Sequence, residues 1–224
     1  MSGRVERPGV RAGYDLWADS YETTPNPVVA LDRRHTLEHL RPAPRERILD
    51  AGCGTGANLA RMLAAGARPV GVDFSAGMLR VARSNAPGAP LAQVDLNRSL
   101  PVRPERFDAL LCSLVSEHLD HLSRFLAGAF SVLRDGGRLA FSAFHPALAT
   151  AGAEANFERD GTQYRLGAER YSVGDYLDRI HDAGFRELRW RDYAVDASLL
   201  QQLPGAAKYG DRPLLLVVDA VRRG

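Results

Sequence analysis

Acidic residues and glycines recur where apolar runs give way to helical patterns. Asp50 ends one such run and is followed by alternating glycines at Gly52, Gly54 and Gly56. Glycine suits a turn whose backbone needs positive φ or lies against a ligand, and the helix that follows presents free N–H groups to that ligand. Asp73 ends the next run about twenty residues later, where a carboxylate can accept hydrogen bonds from both hydroxyls of a ribose. Taken alone, Asp73 would be read as a solvated loop residue.

Further residues extend this pattern along the chain. Asp95 and Leu96 follow a third apolar run, where the carboxylate can accept a hydrogen bond from the exocyclic amine of an adenine and the leucine can cover its ring. Met78, on the first turn of a predicted helix, can lie against a flat base. Phe74 and Ser113 stand at the ends of the second and fourth runs, and Glu117 follows the fourth, so we expect all three at the same edge as the acids.

Two histidines follow predicted strands and can take a proton from a substrate. A histidine near its ordinary pKa serves as a general base at neutral pH, and we predict this role for His145 and, second, for His118. A structural hydrogen-bonding role stays open for both. His35 and His39 lie one helical turn apart, but no third ligand accompanies them. We interpret this pair as surface histidines and predict no metal site.

The chain begins with a short polar tail, and an aromatic segment follows it before the glycine turn. Residues 14–23 place Tyr14, Trp17, Ala18 and Tyr21 on one face of a predicted helix. Such a stripe suits a lid over a ligand crevice, with the tyrosine hydroxyls as polar tips that contact the cofactor. A helix packed on the body of the domain fits the same stripe, and both interpretations stay open.

Strand and helix patterns alternate between residues 46 and 145. The run Phe107–Ser113 is typical of a central parallel strand that is buried on both faces. Ligands bind outside the carboxyl ends of the strands in open α/β sheets, so the acidic strand ends are expected to meet at one crevice. The first predicted strand begins at Ile48, and the later ones cover 68–74, 91–94, 107–113 and 138–144. The predicted helices cover 27–40, 76–85 and 122–133. We expect Asp120 to cap the last of these helices and Gly136-Gly137 to form its left-handed end.

The segment 146–171 interrupts this alternation. Asp160-Gly161 between two short apolar-polar segments predicts a β-hairpin, which we interpret as a cap over the crevice, with a disordered loop as the alternative. The chain is therefore divided into an N-terminal helical lid (1–45), a cofactor-binding core (46–145), a cap (146–171) and C-terminal elements (172–221). The last part is predicted to contain helices at 173–183 and 197–203 and strands at 185–193 and 213–221.

Composition sets wider bounds on the function. With 224 residues, 45% of them hydrophobic and 25% charged, the sequence predicts one globular domain. No basic run is interleaved with aromatic residues, so nucleic acid is a disfavoured partner. No stretch of 18 apolar residues is present, and we interpret the protein as cytoplasmic with no membrane partner. Cys53 and Cys112 show no disulfide or metal spacing and are interpreted as small space-filling residues.

In these motifs the sequence resembles the class I S-adenosylmethionine-dependent methyltransferases, the group that includes ubiquinone and menaquinone methyltransferases and bacterial natural-product enzymes. Segment 50–56 fits the first family motif, whose loop backbone holds the methionine part of the cofactor, which implies contacts from Gly52, Cys53, Gly54 and Gly56. Asp73 fits the ribose contact, and Asp95-Leu96 the adenine contact. Segments 107–118 and 133–142 fit two later motifs. The resemblance implies a Rossmann-like α/β fold with a mostly parallel seven-stranded sheet of order 3-2-1-4-5-7-6, its last strand antiparallel.

The resemblance also implies an activity. We expect transfer of a methyl group from S-adenosylmethionine, without a metal, to an oxygen, nitrogen or carbon of a small molecule in specialised metabolism, leaving S-adenosylhomocysteine. The DNA-methylating branch carries an Asn/Asp-Pro-Pro-aromatic motif where this chain has segment 113–116, SLVS, which disfavours DNA as the substrate. A relative that keeps the cofactor only as a structural support, for example a cyclase, stays open. A nicotinamide-dependent oxidoreductase is less favoured, because the glycine spacing differs from G-x-G-x-x-G.

Overall fold

The computed structural model describes residues 4–98 and 100–224, and its largest element is a β-sheet of seven strands. In chain order, the strands of the described residues are β1 (Arg4–Glu6), β2 (Arg47–Ala51), β3 (Arg68–Asp73), β4 (Leu91–Gln93), β5 (Phe107–Ser113), β6 (Leu133–Phe144), β7 (Asn156–Arg159), β8 (Thr162–Arg165), β9 (Phe185–Ala194) and β10 (Pro213–Arg222). The large sheet has the order β4-β3-β2-β5-β6-β10-β9, and β10 runs antiparallel to both of its neighbours. The predicted strand order is confirmed.

Helices cover both faces of this sheet, as the alternating pattern predicted. They are α1 (Val10–Trp17), α2 (Pro27–Leu40), α3 (Ala57–Ala64), α4 (Ala76–Asn85), α5 (Leu122–Val132), α6 (Pro146–Thr150), α7 (Val173–Asp182) and α8 (Ala197–Gln202), with single 3₁₀ turns at Tyr21–Thr23, Ser116–His118 and Pro204–Tyr209. Asn26 caps α2 by accepting hydrogen bonds from Val28 N and Val29 N at 3.0 and 3.2 Å. None of the described helices is both long and apolar enough to cross a membrane.

The core lies on the two faces of β2 and β5. Leu49 and Leu110 are fully buried in the cluster that α5 and α7 cover, and Ile48 and Ala109 are fully buried against α2 and α3. Burying a leucine or isoleucine side chain contributes about 1.5–3 kcal/mol, so both central strands are held from both sides. The carboxyl ends of these strands are therefore fixed relative to one another, and the side chains that follow them are held at one edge.

The first helix differs from its prediction. It spans Val10–Trp17 rather than 14–23, and the chain then forms the 3₁₀ turn at Tyr21–Thr23. Ser20 N donates to Trp17 O at 3.0 Å, an i→i−3 bond, so the α-helical bonding pattern ends at Trp17 and a tighter turn follows. The aromatic stripe forms nonetheless, because the turn brings the Tyr21 ring to 4.9 Å from the Trp17 ring.

The start of β6 also corrects a prediction. Helix α5 ends at Val132 and β6 begins at Leu133, so Gly136-Gly137 do not form a left-handed end of the helix. Leu133 is fully buried and pairs with Phe107, which draws the chain into the sheet at once. At the other end of α5, Asp120 is not the cap, because its backbone N–H donates to Asn97 Oδ1 at 2.8 Å and His121 stands at the N-cap.

The predicted hairpin around Asp160-Gly161 is present, and it has an additional strand. Strands β7 and β8 pair antiparallel, with Phe157 opposite Tyr164. The N-terminal segment was interpreted as a polar tail, which is wrong for Arg4–Glu6, because β1 pairs in parallel with β8 and completes a three-stranded sheet. Trp17 stacks on Phe157 at 4.9 Å, so this small sheet is packed against the aromatic stripe.

Candidate functional site

The loop after β2 has a backbone that glycine permits. Gly52, Gly54 and Gly56 have φ of 85°, 52° and 80°. A Cβ on Gly52 would lie 2.2 Å from a methyl group of Val115, whereas a Cβ on Gly54 would meet nothing within 4 Å. Gly52 is therefore required by packing. Gly54 faces open space, where a side chain would take up room that a ligand needs.

Asp73 connects this loop to the end of β3. Its Oδ2 accepts a hydrogen bond from Gly54 N and its Oδ1 accepts one from Ser75 N, both at 2.8 Å. Burial raises the pKa of Asp73, and the two N–H donors act in the opposite direction. Each carboxylate oxygen has further lone pairs, so Asp73 can still accept hydrogen bonds from two hydroxyls.

A cavity of about 350 Å³, called the first cavity here, lies at the carboxyl ends of β2, β3 and β5. It passes from the glycine loop, across Asp73, to Leu96 and the buried Met78. The residues predicted from the sequence that line it are Tyr14, Tyr21, Gly52, Gly54, Asp73, Phe74, Met78, Asp95, Leu96, Ser113 and His118. These residues fit S-adenosylmethionine: Gly54 leaves room for the methionine part, Asp73 has acceptors for the ribose, and Asp95 stands beside apolar walls for the adenine.

Three predicted residues of the loop region lie behind this cavity rather than along it. Cys53 is buried in the cluster of Leu59 and Leu79, as a space-filling residue. Gly56 stands at the N-cap of α3. Asp50 is 1% exposed, and neither of its carboxyl oxygens has a hydrogen-bond partner among the residues that the structure describes. Burial raises its pKa well above the usual range, with Asp73 and Asp32 adding to the effect.

The two histidines predicted as bases occupy different surroundings. His118 lines the first cavity, and its Nε2 lies 3.0 Å from the Tyr14 hydroxyl. Burial lowers the pKa of His118 to about 4, so its imidazole is neutral at pH 7. His145 lies outside the residues that line this cavity and the neighbouring one. Its Nδ1 accepts a hydrogen bond from Ala147 N at 3.1 Å, which caps α6, and burial lowers its pKa.

Helix α1 forms one wall of the first cavity and is tied to the core by Asp15. Asp15 Oδ1 accepts hydrogen bonds from Ser75 Oγ at 2.6 Å and from Gly77 N at 2.8 Å, at the start of α4. Val10 and Arg11 line the cavity in front of this contact. The sequence reasoning missed both of them, because they were assigned to the polar tail and carry no motif.

A second cavity, of about 470 Å³, adjoins the first. Tyr14, Tyr21 and Leu114 line both cavities. Most of the rest of its wall comes from the start of α2, the segment 153–156 before β7, and the segment 202–209. The two cavities therefore border one another at Tyr14, Tyr21 and Leu114.

Glu117 is a residue of the second cavity that the sequence reasoning named only as one of the polar strand-end residues. Its side chain is buried, with 8% of the residue exposed, and its Oε2 has no hydrogen-bond partner within the described chain. Burial raises the pKa of Glu117 to about 7. Its position next to His118 was the only available signal, and that position does not distinguish a site residue from a structural one.

No group of three or more His, Cys, Asp or Glu side chains among residues 4–98 and 100–224 is arranged to hold a metal ion. His39 instead pairs with other side chains: its Nδ1 lies 2.8 Å from Asp219 Oδ1, and its Nε2 lies 2.9 Å from the Tyr193 hydroxyl. His35 stacks on Tyr193 with the ring centroids 3.9 Å apart. The side chains of His35 and His39 are each 18% exposed, so the interpretation of the pair as surface histidines is too simple for both.

Comparison with known proteins identifies relatives of the cavity-bearing region. Residues 49–141 match the model of a family described as a methyltransferase domain. Demethylmenaquinone methyltransferase of Streptomyces avermitilis is 32% identical over 146 residues, which is 62% of this chain and 62% of the relative. The chain therefore spans less than two thirds of that relative. Demethylmenaquinone methyltransferase of Tropheryma whipplei is 34% identical over 188 residues, which is 76% of this chain and 79% of the relative.

Solved structures share the fold. An S-adenosylmethionine-dependent methyltransferase from Mesorhizobium loti superposes with a TM-score of 0.73 at 23% identity, covering 84% of this chain and 96% of its own. The [4+2]-cyclase SpnF superposes with a TM-score of 0.71 at 19% identity, covering 98% of this chain and 99% of its own. At this level of identity both structures bear on the fold alone, and the same fold serves proteins of different activity.

Proposed function

The chain belongs to the class I S-adenosylmethionine-dependent methyltransferases, and from this premise we propose that it transfers a methyl group to an oxygen, nitrogen or carbon atom of a small molecule. The names of the demethylmenaquinone methyltransferases support an acceptor of this size class. The resemblance to natural-product methyltransferases supports a place in specialised metabolism.

We assign the first cavity to the cofactor, which supplies a sulfonium methyl that is already activated toward nucleophiles. In this proposal the Gly52–Gly54 backbone holds the methionine part, Asp73 holds both ribose hydroxyls, and Asp95 accepts a hydrogen bond from the adenine amine. Met78 and Leu96 cover the two faces of the base. Each assignment follows from the position of the residue along the first cavity.

The observation that carries the proposal is the wall shared by the two cavities. Because Tyr14, Tyr21 and Leu114 line both, an acceptor in the second cavity would lie next to a cofactor in the first. Holding two reactants in contact can lower the barrier by about 7–11 kcal/mol in well-oriented cases. The buried aromatic wall also keeps water away from the contact. Positioning of this kind is the protein's main contribution to a methyl transfer.

The roles of the two histidines that were predicted as bases follow from where they lie relative to the cavities. His118 lines the first cavity and bonds to Tyr14, so we propose it as a residue that positions Tyr14 beside the cofactor. His145 caps α6, and its role as a base has no support from a contact with either cavity.

The test is transfer of label from methyl-labelled S-adenosylmethionine to a panel of phenols, amines and quinols at a low cofactor concentration, with Asp73→Ala as the control that should bind the cofactor roughly 100-fold more weakly. Label in any product that is lost in the control supports the proposal. Cofactor binding without label transfer to any acceptor would favour the structural-support alternative, as in a cyclase. Binding of NADH with no binding of S-adenosylmethionine would contradict both.

A further inference from the structure

The second cavity contains a buried carboxyl group that lacks a partner. Glu117 Oε2 has negligible exposure and no hydrogen-bond partner within the described chain. A buried carboxyl without a partner is costly, and in a native structure it calls for an explanation, such as a bound ligand or a catalytic role. Its acidic neighbour Asp32, by contrast, has partners. Asp32 accepts hydrogen bonds from three hydroxyls, those of Thr36, Ser113 and Ser142.

Charges around the cavity leave Glu117 without a cation. Glu154 also lines the cavity, but it pairs with Arg7 at 3.0 Å and Arg165 at 2.7 Å. Among the described residues that line the cavity, Lys208 is the one basic side chain, and it is exposed and lies over the Tyr209 ring at 5.2 Å. The interior of the cavity therefore offers a negative charge and no positive one.

Aromatic rings make up much of the remaining wall. They belong to Tyr14, Trp17, Tyr21, Phe144 and Tyr209. Aromatic faces attract ammonium groups, and sites for amines and quaternary ammonium ions combine such faces with a carboxylate. A carboxylate acceptor would be repelled by Glu117, and a neutral alcohol would leave its charge without a counterion.

We propose that the acceptor is an amine, bound as an ammonium ion by Glu117 and the aromatic wall, and that the Glu117 carboxylate takes the proton that the nitrogen must lose. The proton moves from the N–H bond to the carboxylate, and the electron pair of that bond stays on nitrogen as the free lone pair needed for methylation. The proposal rests on the proposed function, which it narrows to N-methylation.

Several titratable groups surround Glu117, and most of them are uncharged near pH 7. The groups that face it are Tyr14 of α1, Tyr21, Asp32 of α2, Cys112 of β5 and Tyr176 of α7. Burial raises the pKa of each of the three phenols and of the thiol, so these groups are uncharged near pH 7. The pKa of Glu117 itself is about 7, with burial as the main cause. The carboxyl is therefore about half protonated at pH 7 in the free protein.

The experiment is calorimetric titration of the protein saturated with S-adenosylhomocysteine. The probes are propylamine, 2-phenylethylamine and tryptamine, each compared with its alcohol: propan-1-ol, 2-phenylethanol and tryptophol. At least one amine is expected to bind about tenfold or more tightly than its alcohol, as pairing of a buried charge requires. Binding in buffers of different ionisation enthalpy should show release of about half a proton at pH 7, because the ammonium ionises Glu117.

The variants are E117Q, which keeps the shape and removes the charge, and E158Q as the matched control on the exposed face of β7. E117Q should lose both the amine preference and the proton release, E117D should recover part of the preference, and E158Q should behave as the parent. Equal binding of amines and alcohols, no binding of any amine, or a preference that survives in E117Q would overturn the inference. Failure of S-adenosylhomocysteine to bind the parent protein would instead contradict the proposed function. If E117Q does not fold, proton release by the parent protein decides the question.

Discussion

Replacement of Asp73 tests the cofactor site most sharply, because this carboxylate has two separable tasks. It holds the loop through Gly54 N and Ser75 N, and it is assigned to the two ribose hydroxyls. Hydrogen bonds to a charged group contribute about 1.5 kcal/mol each at the lower end of their range, so two of them give about 3 kcal/mol. We therefore expect Asp73→Ala to weaken binding of S-adenosylhomocysteine roughly 100-fold.

A ligand without the hydroxyls separates the two tasks. The parent protein should bind S-adenosylhomocysteine about 100-fold more tightly than its 2′,3′-dideoxy analogue, and in Asp73→Ala this preference should nearly vanish. The assay is calorimetric titration of both proteins with both ligands. Asp19→Ala, which removes a carboxylate that is 74% exposed, is the control and should keep the parent values. Equal losses for the two ligands would mean that Asp73 acts only on the loop, and the ribose assignment would be refuted.

Three further predictions concern the loop, the first helix and Glu117. Gly52→Ala should lower the free energy of unfolding by about 1–3 kcal/mol in chemical denaturation, because its Cβ would collide with Val115. Gly54→Ala should mainly weaken cofactor binding, since its Cβ would point into open space. The reverse pattern would contradict the assignment of the loop. Asp15→Ala should weaken cofactor binding several-fold and increase hydrogen exchange in α1, because two hydrogen bonds to the start of α4 are lost; unchanged exchange would show that these bonds do not hold the helix. The folded pKa of Glu117, about 7, lies above the ordinary 4.5, so its stabilising contribution is present below pH 4.5 and is lost as the pH rises through 7. The free energy of unfolding of the parent protein relative to E117Q should therefore rise by up to about 3 kcal/mol from pH 8 down to pH 4.5. A difference that stays constant over this range would contradict the raised pKa.

Much of the fold could be predicted from the sequence, because residues that are buried in the core must be apolar. The apolar run Phe107–Ser113 could be placed at the centre of the sheet because only a strand buried on both faces needs such a run. The pairing of β1 with β8 could not be predicted, because Arg4–Glu6 is exposed and polar and its partner is distant in the sequence. The early end of α1 was missed because it depends on the i→i−3 bond from Ser20 N to Trp17 O, which periodicity does not reveal.

Some residues of the candidate site could likewise be predicted from the sequence, and others could not. Asp73, Asp95 and the glycines could be found because their types and spacing follow from the shape of a nucleoside cofactor. Glu117 could not be found, since its significance lies in having no partner, and that is a property of the packed structure. His145 was favoured by its position after a strand, but the helix that begins at Pro146 uses it as a cap.

The most direct test of the central claim is calorimetric titration of the purified protein with S-adenosylmethionine, S-adenosylhomocysteine and NADH under the same conditions. The first cavity is assigned to a cofactor with an adenosine joined to a methionine part, so the two sulfur ligands should bind with one molecule per chain and NADH should not. Binding of NADH alone, or of none of the three, would contradict the assignment of the first cavity and the methyl transfer that depends on it.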